Sequence, residues 1–212
     1  MKTILLLVFF GSTIYLSGQA KYDLKLSFDQ IKCVKAVEGP FDTNEEIGGA
    51  SWVQNYITKT GDRVGPNSRF IDSRFSVLPL HILFSTDNYE TTSEPFYRIE
   101  QGNFVDLSGD SNPLYIRNLS FDDLFGLRIY IQSSMNDVEL LQTHYNYCKQ
   151  CIDGNTFLID MRKYRNSMKI ARLGQSDNLE FLIDWFENKD TKNASQLKLK
   201  YTVTITRTDG KF

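Results

Sequence analysis

The sequence has few of the residues that most catalytic and metal sites use. It contains only two histidines, His81 and His144, among 212 residues. Histidine is the side chain that moves protons near neutral pH and the commonest metal ligand, so few familiar hydrolase or metalloenzyme sites can be built from this chain. The sequence also has no Gly-x-Ser-x-Gly elbow, no His-Glu-x-x-His and no glycine-rich phosphate loop.

The chain also lacks an excess of positive charge. Lys and Arg number 24 and Asp and Glu number 26, so the formal net charge is -2. A protein that binds nucleic acid neutralises phosphates with surplus basic side chains. The composition therefore argues against a nucleic-acid partner. With 41% hydrophobic and 24% charged residues, it is typical of a globular protein with a buried core.

No apolar run reaches the roughly 20 residues that a transmembrane helix needs. The run Ile4–Phe10 follows a basic residue and precedes small residues that include Gly18 and Ala20. This layout is typical of a secretory signal. We therefore expect residues 1–20 to be a signal peptide and the mature chain, which starts at Lys21, to be secreted or periplasmic without a transmembrane segment. An uncleaved anchor and an N-terminal hydrophobic strand are the alternatives.

Alternating apolar and polar residues predict a long strand near each end of the mature chain. In Tyr22–Phe28 and in Leu197–Ile205 every second residue is apolar, which is typical of a strand with one buried and one wet face. The apolar positions change parity after Gln30, which predicts a bulge before Ile31 and Cys33. Two such strands predict an antiparallel sheet in which the ends of the chain meet.

Shorter strand-like segments, separated by turn-forming residues, fill the chain between these ends. They are Ser51–Thr58, Phe75–Phe84, Phe96–Ile99, Phe104–Leu107, Leu114–Ile116, Leu127–Gln132 and Thr156–Ile159. Many short strands with frequent turns are typical of a sandwich or barrel. We therefore predict one all-β domain over residues 21–212, an antiparallel β-sandwich with at most one or two short helices.

Two segments fit a helix as an alternative. In Asp177–Glu187 the apolar residues match both the spacing of a helix and the spacing of a strand. The helical set is Leu179, Leu182, Ile183 and Phe186, and the strand set is Leu179, Phe181, Ile183 and Trp185. We favour a strand, because Asn188–Ser195 then forms a loop that leads into the last strand. A short helix over Asp160–Ala171 is the second alternative.

Acidic side chains cluster in segments that we expect to be loops. Asp42, Glu45 and Glu46 follow the first strand, and Asp137 follows Leu127–Gln132. Calcium is bound by about six to eight oxygen ligands in flexible geometry. If these loops meet at one end of the sandwich, the four residues are candidate calcium ligands. The alternative is an ordinary solvated, acidic loop surface.

Two segments carry a resemblance to a known family. LKLSFDQIKCVKAVEGPFDTNEEIGG and LRIYIQSSMNDVELL resemble calcium- and lipid-binding β-sandwich domains of the C-two type, over Lys25–Gly49 and Leu127–Leu141. They also resemble small exported bacterial β-sandwich proteins of undefined function. In the C-two family aspartates of two loops hold calcium, whereas this chain has Asp42 and Asp137 without the family's Asp-x-Asp pair. The predicted sandwich is C-two-like or immunoglobulin-like.

The cysteines leave several pairings open. In an oxidising compartment Cys148 and Cys151 can form a local disulfide. The alternatives are a redox pair, a disulfide to Cys33, buried thiols, and a zinc site that adds His144 and Cys33. The turn Asp153–Asn155 follows the pair, where a redox motif would open a helix.

Aromatic residues and an acidic pair supply the remaining candidate sites. Five aromatics near predicted turns could form a binding face: Tyr89, Phe96, Tyr97, Tyr145 and Tyr147. Asp122 and Asp123 could serve a hydrolase, and His81 is expected to be partly buried and hydrogen-bonded. The sequence predicts an exported, non-catalytic module that binds a protein, a glycan or a membrane surface. The alternatives are a calcium-stabilised membrane- or lipid-binding domain and a small secreted hydrolase.

Overall fold

The computed structural model describes residues 20–37, 44–58, 63–64, 81–86, 97–137, 144–145, 147–152, 155–169 and 172–209. Nearly all of the predicted signal peptide lies outside these ranges. The same holds for Asp42, Tyr89, Phe96 and most of the predicted strand Phe75–Phe84. No helix among the described residues is long and apolar enough to cross a bilayer.

Strands dominate the described residues and confirm the predicted all-β class. In chain order they are β1 (Lys21–Lys35), β2 (Asn44–Ile57), β3 (Arg63–Val64), β4 (His81–Ser85), β5 (Tyr97–Glu100), β6 (Phe104–Asp106), β7 (Leu114–Ser120), β8 (Arg128–Asp137), β9 (His144–Tyr145), β10 (Tyr147–Cys148), β11 (Thr156–Asp160), β12 (Ser176–Phe186) and β13 (Gln196–Arg207). Helix α1 (Phe121–Leu124) and a 3₁₀ helix (Met161–Tyr164) are one turn each. The 3₁₀ helix lies within Asp160–Ala171, where a short helix was an alternative prediction.

The strands form two antiparallel sheets that pack as a sandwich. Sheet A has the order β10-β12-β13-β1-β6, with β7 also paired to β1. Sheet B has the order β11-β8-β2-β3, with β4 and β5 also along β2 and β9 along β8. The β5–β6 hairpin crosses between the sheets at one end of the sandwich, and α1 joins β7 to β8 at the other. We call these the hairpin end and the helix end.

Sheet A follows the sequence pattern closely. β1 pairs with β13 from Tyr22 opposite Arg207 to Lys35 opposite Gln196, so the two long strands that the sequence predicted near the ends of the domain meet as predicted. The register shifts between Phe28 and Gln30, which confirms the predicted bulge. Because one extra residue reverses the facing of all later side chains, Ile31 and Cys33 return to the buried face.

The segment that also fitted a helix is strand β12. Phe181, Ile183 and Trp185 are buried, and they alternate with exposed or half-buried residues. Leu182, which the helical alternative would have buried, is 51% exposed. The strand prediction is confirmed.

Two sheet B strands are longer than predicted. β2 begins at Asn44 where the sequence predicted Ser51, and β8 continues to Asp137 where it predicted an end at Gln132. Glu45, Glu46 and Asp137 therefore lie in strands, and the prediction that they lie in loops is wrong. The sequence hides this extension because β2 carries polar Glu45 and Ser51 at buried positions.

Candidate functional site

The predicted calcium ligands lie at the hairpin end, but two of them point apart. Consecutive residues of a strand face opposite sides of the sheet. Glu45 faces the core with 0% exposure, and its carboxylate accepts a hydrogen bond from the hydroxyl of Tyr145. Glu46 faces outward, where its Oε1 lies 3.8 Å from Nε of Arg98. The structure therefore does not bring Glu45 and Glu46 together.

The other two candidates are Asp137 and Asp42. Asp137 ends β8, where its backbone pairs with that of Ile47, and Asp42 lies outside the described residues. In the part of the chain that the structure describes, no group of three or more His, Cys, Asp or Glu side chains is arranged to hold a metal ion. Calcium binding stays a prediction.

The acidic pair of the hydrolase alternative lies in α1, where each carboxylate has a partner. Ser120 caps the helix: its Oγ accepts from the Asp123 backbone N–H at 3.1 Å and donates to the Asp123 carboxylate. Asp122 Oδ1 accepts from Nη2 of Arg165 at 3.0 Å. The spacing Ser-x-x-Asp is a capping-box signal that predicts a helix start here.

His81 occupies β4 as the sequence predicted. Its Nε2 lies 2.7 Å from the carbonyl oxygen of Asn112, and its side chain is half-buried. Because a carbonyl oxygen can only accept, Nε2 carries the proton and donates it. This hydrogen bond ties β4 to the loop before β7.

The cysteines adopt one of the pairings that the sequence left open. Cys148 and Cys151 form a disulfide with 5.3 Å between their Cα atoms. Cys33 is buried in β1 and takes no part in a disulfide. The bridge closes a turn directly after β10, which pairs with β12 at Trp185.

Three of the five predicted aromatic residues are described, Tyr97, Tyr145 and Tyr147, and these three do not form an exposed face. Tyr145 is buried, and Tyr147 is half-buried with its ring 6.3 Å from that of Phe186. The hydroxyl of Tyr97 donates to Asp110 Oδ2 at 2.6 Å. Burial, with this hydrogen bond, raises the pKa of Tyr97 to about 12.

Among the described residues of sheet A, two other aromatic side chains are exposed, those of Phe104 and Tyr115. They are 58% and 52% exposed on β6 and β7, which both pair with the same edge of β1. A signal for Tyr115 is present in the sequence. It lies between apolar Leu114 and Ile116, so alternation along the strand directs it outward.

Strand register arranges the outer face of sheet A in rows. One row runs Asp184, Lys198, Lys32 and Phe104, and another runs Asn178, Thr204, Lys25 and Tyr115. At about 3.3 Å per residue the two rows lie roughly 20 Å apart along β1. The centre of the face is thus polar, and its aromatic side chains stand at one edge.

Charged and polar contacts organise this face. Lys198 Nζ lies 3.5 Å from Asp184 Oδ1, and Lys200 Nζ lies 2.7 Å from Glu180 Oε1. The guanidinium carbon of Arg117 lies 5.6 Å from the ring centroid of Tyr115, within the range of a cation–π contact.

A cleft at the hairpin end adjoins the same edge. Its volume is about 420 Å³, and it is lined by Asn44, Arg98, Ile99, Glu100, Asn103 and Phe104. Asn103 Nδ2 donates to Glu100 Oε2 at 3.1 Å. Phe104 therefore borders both the cleft and the outer face of sheet A.

Comparison with known proteins adds no relative. No protein-family model matches the chain, and a search of curated proteins finds no match. The resemblance to C-two domains and to small exported sandwich proteins stays a prediction.

Proposed function

We propose that the chain is an exported, non-catalytic binding module that holds a glycan along the outer face of sheet A. The observation that carries this proposal is the exposure of Phe104 and Tyr115 at one edge of a sheet face whose centre is polar. Aromatic rings are large apolar groups that usually gain stability by burial, so two rings left in water on one edge favour a binding role.

The chemistry of the face suits a hydroxyl-rich partner. A sugar ring has a C–H face that can pack on an aromatic ring and hydroxyls that exchange hydrogen bonds with charged side chains. Beside Phe104 the row offers the ammonium groups of Lys32 and Lys198 and the carboxylate of Asp184. The backbone N–H of Ser108 donates to Asp106 at 2.8 Å and lowers the pKa of that carboxyl, which keeps a further acceptor ionised.

A flat protein partner suits this face less well. The centre of a protein–protein interface is depleted of charge and rich in apolar contacts. The centre of sheet A instead presents lysines and threonines of β13, such as Lys200 and Thr202. The exposed large apolar residues that the structure describes on this face lie apart at its edges: Phe104, Tyr115 and Leu182.

Two observations support export. The N-terminal pattern is that of a secretory signal. The disulfide between Cys148 and Cys151 is a bond that forms and persists in oxidising compartments.

The calcium- and lipid-binding alternative has less support. A shared calcium ion needs carboxylates that converge, whereas Glu45 and Glu46 face opposite sides of β2. Arg98 also brings positive charge close to Glu46.

Affinity electrophoresis of the purified protein through gels that contain soluble polysaccharides tests the glycan proposal. We expect at least one polysaccharide to retard the protein, and Phe104→Ala and Tyr115→Ala each to weaken binding about tenfold, since loss of an anchoring aromatic costs at least about 1–2 kcal/mol. Leu182→Ala is the matched control, because it removes an equally exposed apolar side chain from the far side of the same face. Absence of retardation by every polysaccharide, or equal binding by Phe104→Ala, would contradict the proposal.

A further inference from the structure

A second cleft, at the helix end, is lined by three arginines. It has a volume of about 350 Å³ and is lined by Thr58, Asp122, Phe125, Gly126, Arg128, Arg162 and Arg165. We call it the arginine cleft. It lies where β2 ends and β8 begins, so it is separated from Phe104 by most of the length of the sandwich.

The ends of several elements converge on this cleft. Arg128 is the first residue of β8 and pairs in register with Asp160, the last residue of β11. The 3₁₀ helix that follows β11 carries Arg162, and Arg165 comes directly after it. The backbone connections therefore hold three cationic side chains beside one another.

Arg162 is fixed by a two-pronged ion pair. Its Nε donates to Asp160 Oδ1 at 2.7 Å, and its Nη2 donates to Asp160 Oδ2 at 2.6 Å. These hydrogen bonds hold the pKa of Asp160 below its ordinary value, so the carboxylate stays charged and the guanidinium stays oriented. A guanidinium has five N–H donors, and this fork uses two of them.

Arg165 is oriented by two contacts. Its Nη2 donates to Asp122 Oδ1 at 3.0 Å, and its guanidinium carbon lies 5.1 Å from the ring centroid of Phe121. These contacts use one N–H group and one face of the guanidinium. The other donors of Arg165 are available to a ligand.

The guanidinium of Arg128 makes no hydrogen bond or ion pair with any other residue that the structure describes. Among the described residues at the cleft, three guanidinium groups therefore stand beside two carboxylates, those of Asp122 and Asp160. This leaves a local positive surplus on a chain whose formal net charge is -2. Arginine forks match the oxygen geometry of carboxylates and phosphates.

We propose that the arginine cleft binds a small organic ligand through a carboxylate or phosphate group, with Arg128 as the principal contact. A volume of about 350 Å³ lies at the lower end of the range for small-molecule sites and exceeds the needs of a bare ion. Phe125 and Gly126 supply an apolar wall for the carbon part of the ligand. This site is independent of the proposed glycan face.

Titration of the ¹⁵N-labelled protein with glycerol 3-phosphate and, separately, with succinate tests the proposal. We expect saturable amide shifts at Gly126, Arg128 and Arg162 with at least one probe, and weaker binding as KCl is raised. The tighter probe distinguishes a phosphate from a carboxylate ligand. Inorganic phosphate serves as a third probe, and we expect it to bind more weakly than glycerol 3-phosphate if the apolar wall contributes.

Variants assign the binding to the cleft. Arg128→Gln should weaken the binding of the better probe at least tenfold, because a charge-assisted hydrogen bond contributes about that factor. Arg128→Lys should bind this probe with an affinity between those of the unmodified protein and Arg128→Gln, because lysine keeps the charge but loses the two-pronged hydrogen bonding of the guanidinium. Arg98→Gln, which removes an ion-paired arginine at the hairpin end, should bind as the unmodified protein does.

Two results would overturn the proposal: no saturable shift with any of the three probes, or equal affinity in Arg128→Gln and Arg98→Gln. Amide shifts remote from the cleft report whether each variant keeps the fold. If Arg128→Gln is unfolded, Arg165→Gln takes its place with the same expectation. Loss of glycan binding by Phe104→Ala is measured separately, so the two proposals can fail independently.

Discussion

Sheets A and B bury their inner faces with different side chains. In β1 and β13 of sheet A the buried positions are almost entirely apolar, and the outward positions are lysines, threonines and other polar residues. In β2 of sheet B the buried positions include Glu45 and Ser51. Buried polar groups need partners, because an unpaired one costs about 1–3 kcal/mol. Sheet A is therefore held mainly by apolar burial, whereas sheet B also depends on specific hydrogen bonds.

One of these hydrogen-bond groups joins the two sheets. Ser51 of β2, Ser133 of β8 and Tyr201 of β13 form a buried triangle of hydroxyls. The oxygen atoms are 2.9 Å apart for Ser51 and Tyr201, 3.0 Å for Ser133 and Ser51, and 2.7 Å for Ser133 and Tyr201. If each hydroxyl donates to the next, every donor and one acceptor site of each is satisfied without water.

The largest expected effect comes from the apolar side of this comparison. Phe28 of β1 is fully buried, with its ring centroid 4.9 Å from that of Tyr201 and 5.4 Å from that of Phe84 in sheet B. Phe28→Ala should lower the free energy of unfolding by about 3–5 kcal/mol, through lost burial and a cavity. Urea denaturation measures this change. Leu182→Ala on the exposed face should stay within about 0.5 kcal/mol, and equal losses would contradict the distinction.

A steric test in sheet B comes next. Gly49 has φ of +145°, and a Cβ there would clash with the carbonyl oxygen of Ser134 on β8. Gly49→Ala should cost about 3 kcal/mol or more, from backbone strain and overpacking together. Gly102→Ala is the control, because Gly102 has φ of +92° and nothing within 4 Å of the added Cβ. If thermal unfolding shows the same loss for both variants, the close approach of β2 and β8 is not what requires glycine.

The disulfide tests the edge of sheet A. A combined Cys148→Ser and Cys151→Ser change should lower stability by about 2 kcal/mol, because the bridge closes a short loop and removes little entropy from the unfolded chain. Denaturation under reducing and oxidising conditions measures the loss. The variant should be insensitive to reductant, and a reductant effect of equal size in the variant would contradict the assignment.

The hydroxyl triangle tests the polar side of the comparison. Tyr201→Phe should cost about 1–2 kcal/mol near neutral pH, because Ser51 and Ser133 each lose a partner. Combining Tyr201→Phe with Ser51→Ala and Ser133→Ala should cost less than the sum of the three separate changes, because the combined variant leaves no orphaned hydroxyl. A fully additive result in urea denaturation would show that the three hydroxyls are not coupled.

The same tyrosine predicts an alkaline effect. Burial raises the pKa of Tyr201 to about 12 from its ordinary value of 10.0. Between these two values the unfolded chain loses a proton that the folded protein keeps, so the contribution of Tyr201 is complete below pH 10 and falls by about 1.4 kcal/mol per pH unit above it. Tyr201→Phe should therefore lose less stability between pH 9 and pH 11 than the unmodified protein. If the free energy of unfolding falls equally with pH in the two proteins, the burial of the Tyr201 phenol is contradicted.

Calcium has the smallest expected effect. Because Glu45 and Glu46 face opposite sides of β2, we expect millimolar calcium after EDTA treatment to leave the melting temperature unchanged. A clear upward shift would instead favour the calcium-stabilised alternative. An Asp42→Ala variant would then show whether Asp42 contributes to the site.

Sequence patterns predicted the long strands of sheet A but missed the start of β2 and the end of β8 in sheet B. The bulge after Phe28 and the alternation of Leu197–Ile205 could be predicted because each strand has one dry and one wet face. The start of β2 at Asn44 could not, because a buried glutamate breaks the pattern that marks a strand. The sequence also could not predict that Phe104 is exposed, because phenylalanine is usually part of a core.

The sequence of residues within single segments was thus sufficient to predict the class of fold, the pairing of β1 with β13 and the strand character of β12. Each follows from alternation of apolar and polar residues within one segment, which is a property of neighbours in sequence. The partner of Glu45, the triangle that joins Ser51, Ser133 and Tyr201, and the convergence of three arginines depend on residues far apart in the chain. Only the packing of one sheet on the other and the meeting of strand ends bring those groups within hydrogen-bond distance or into one cleft.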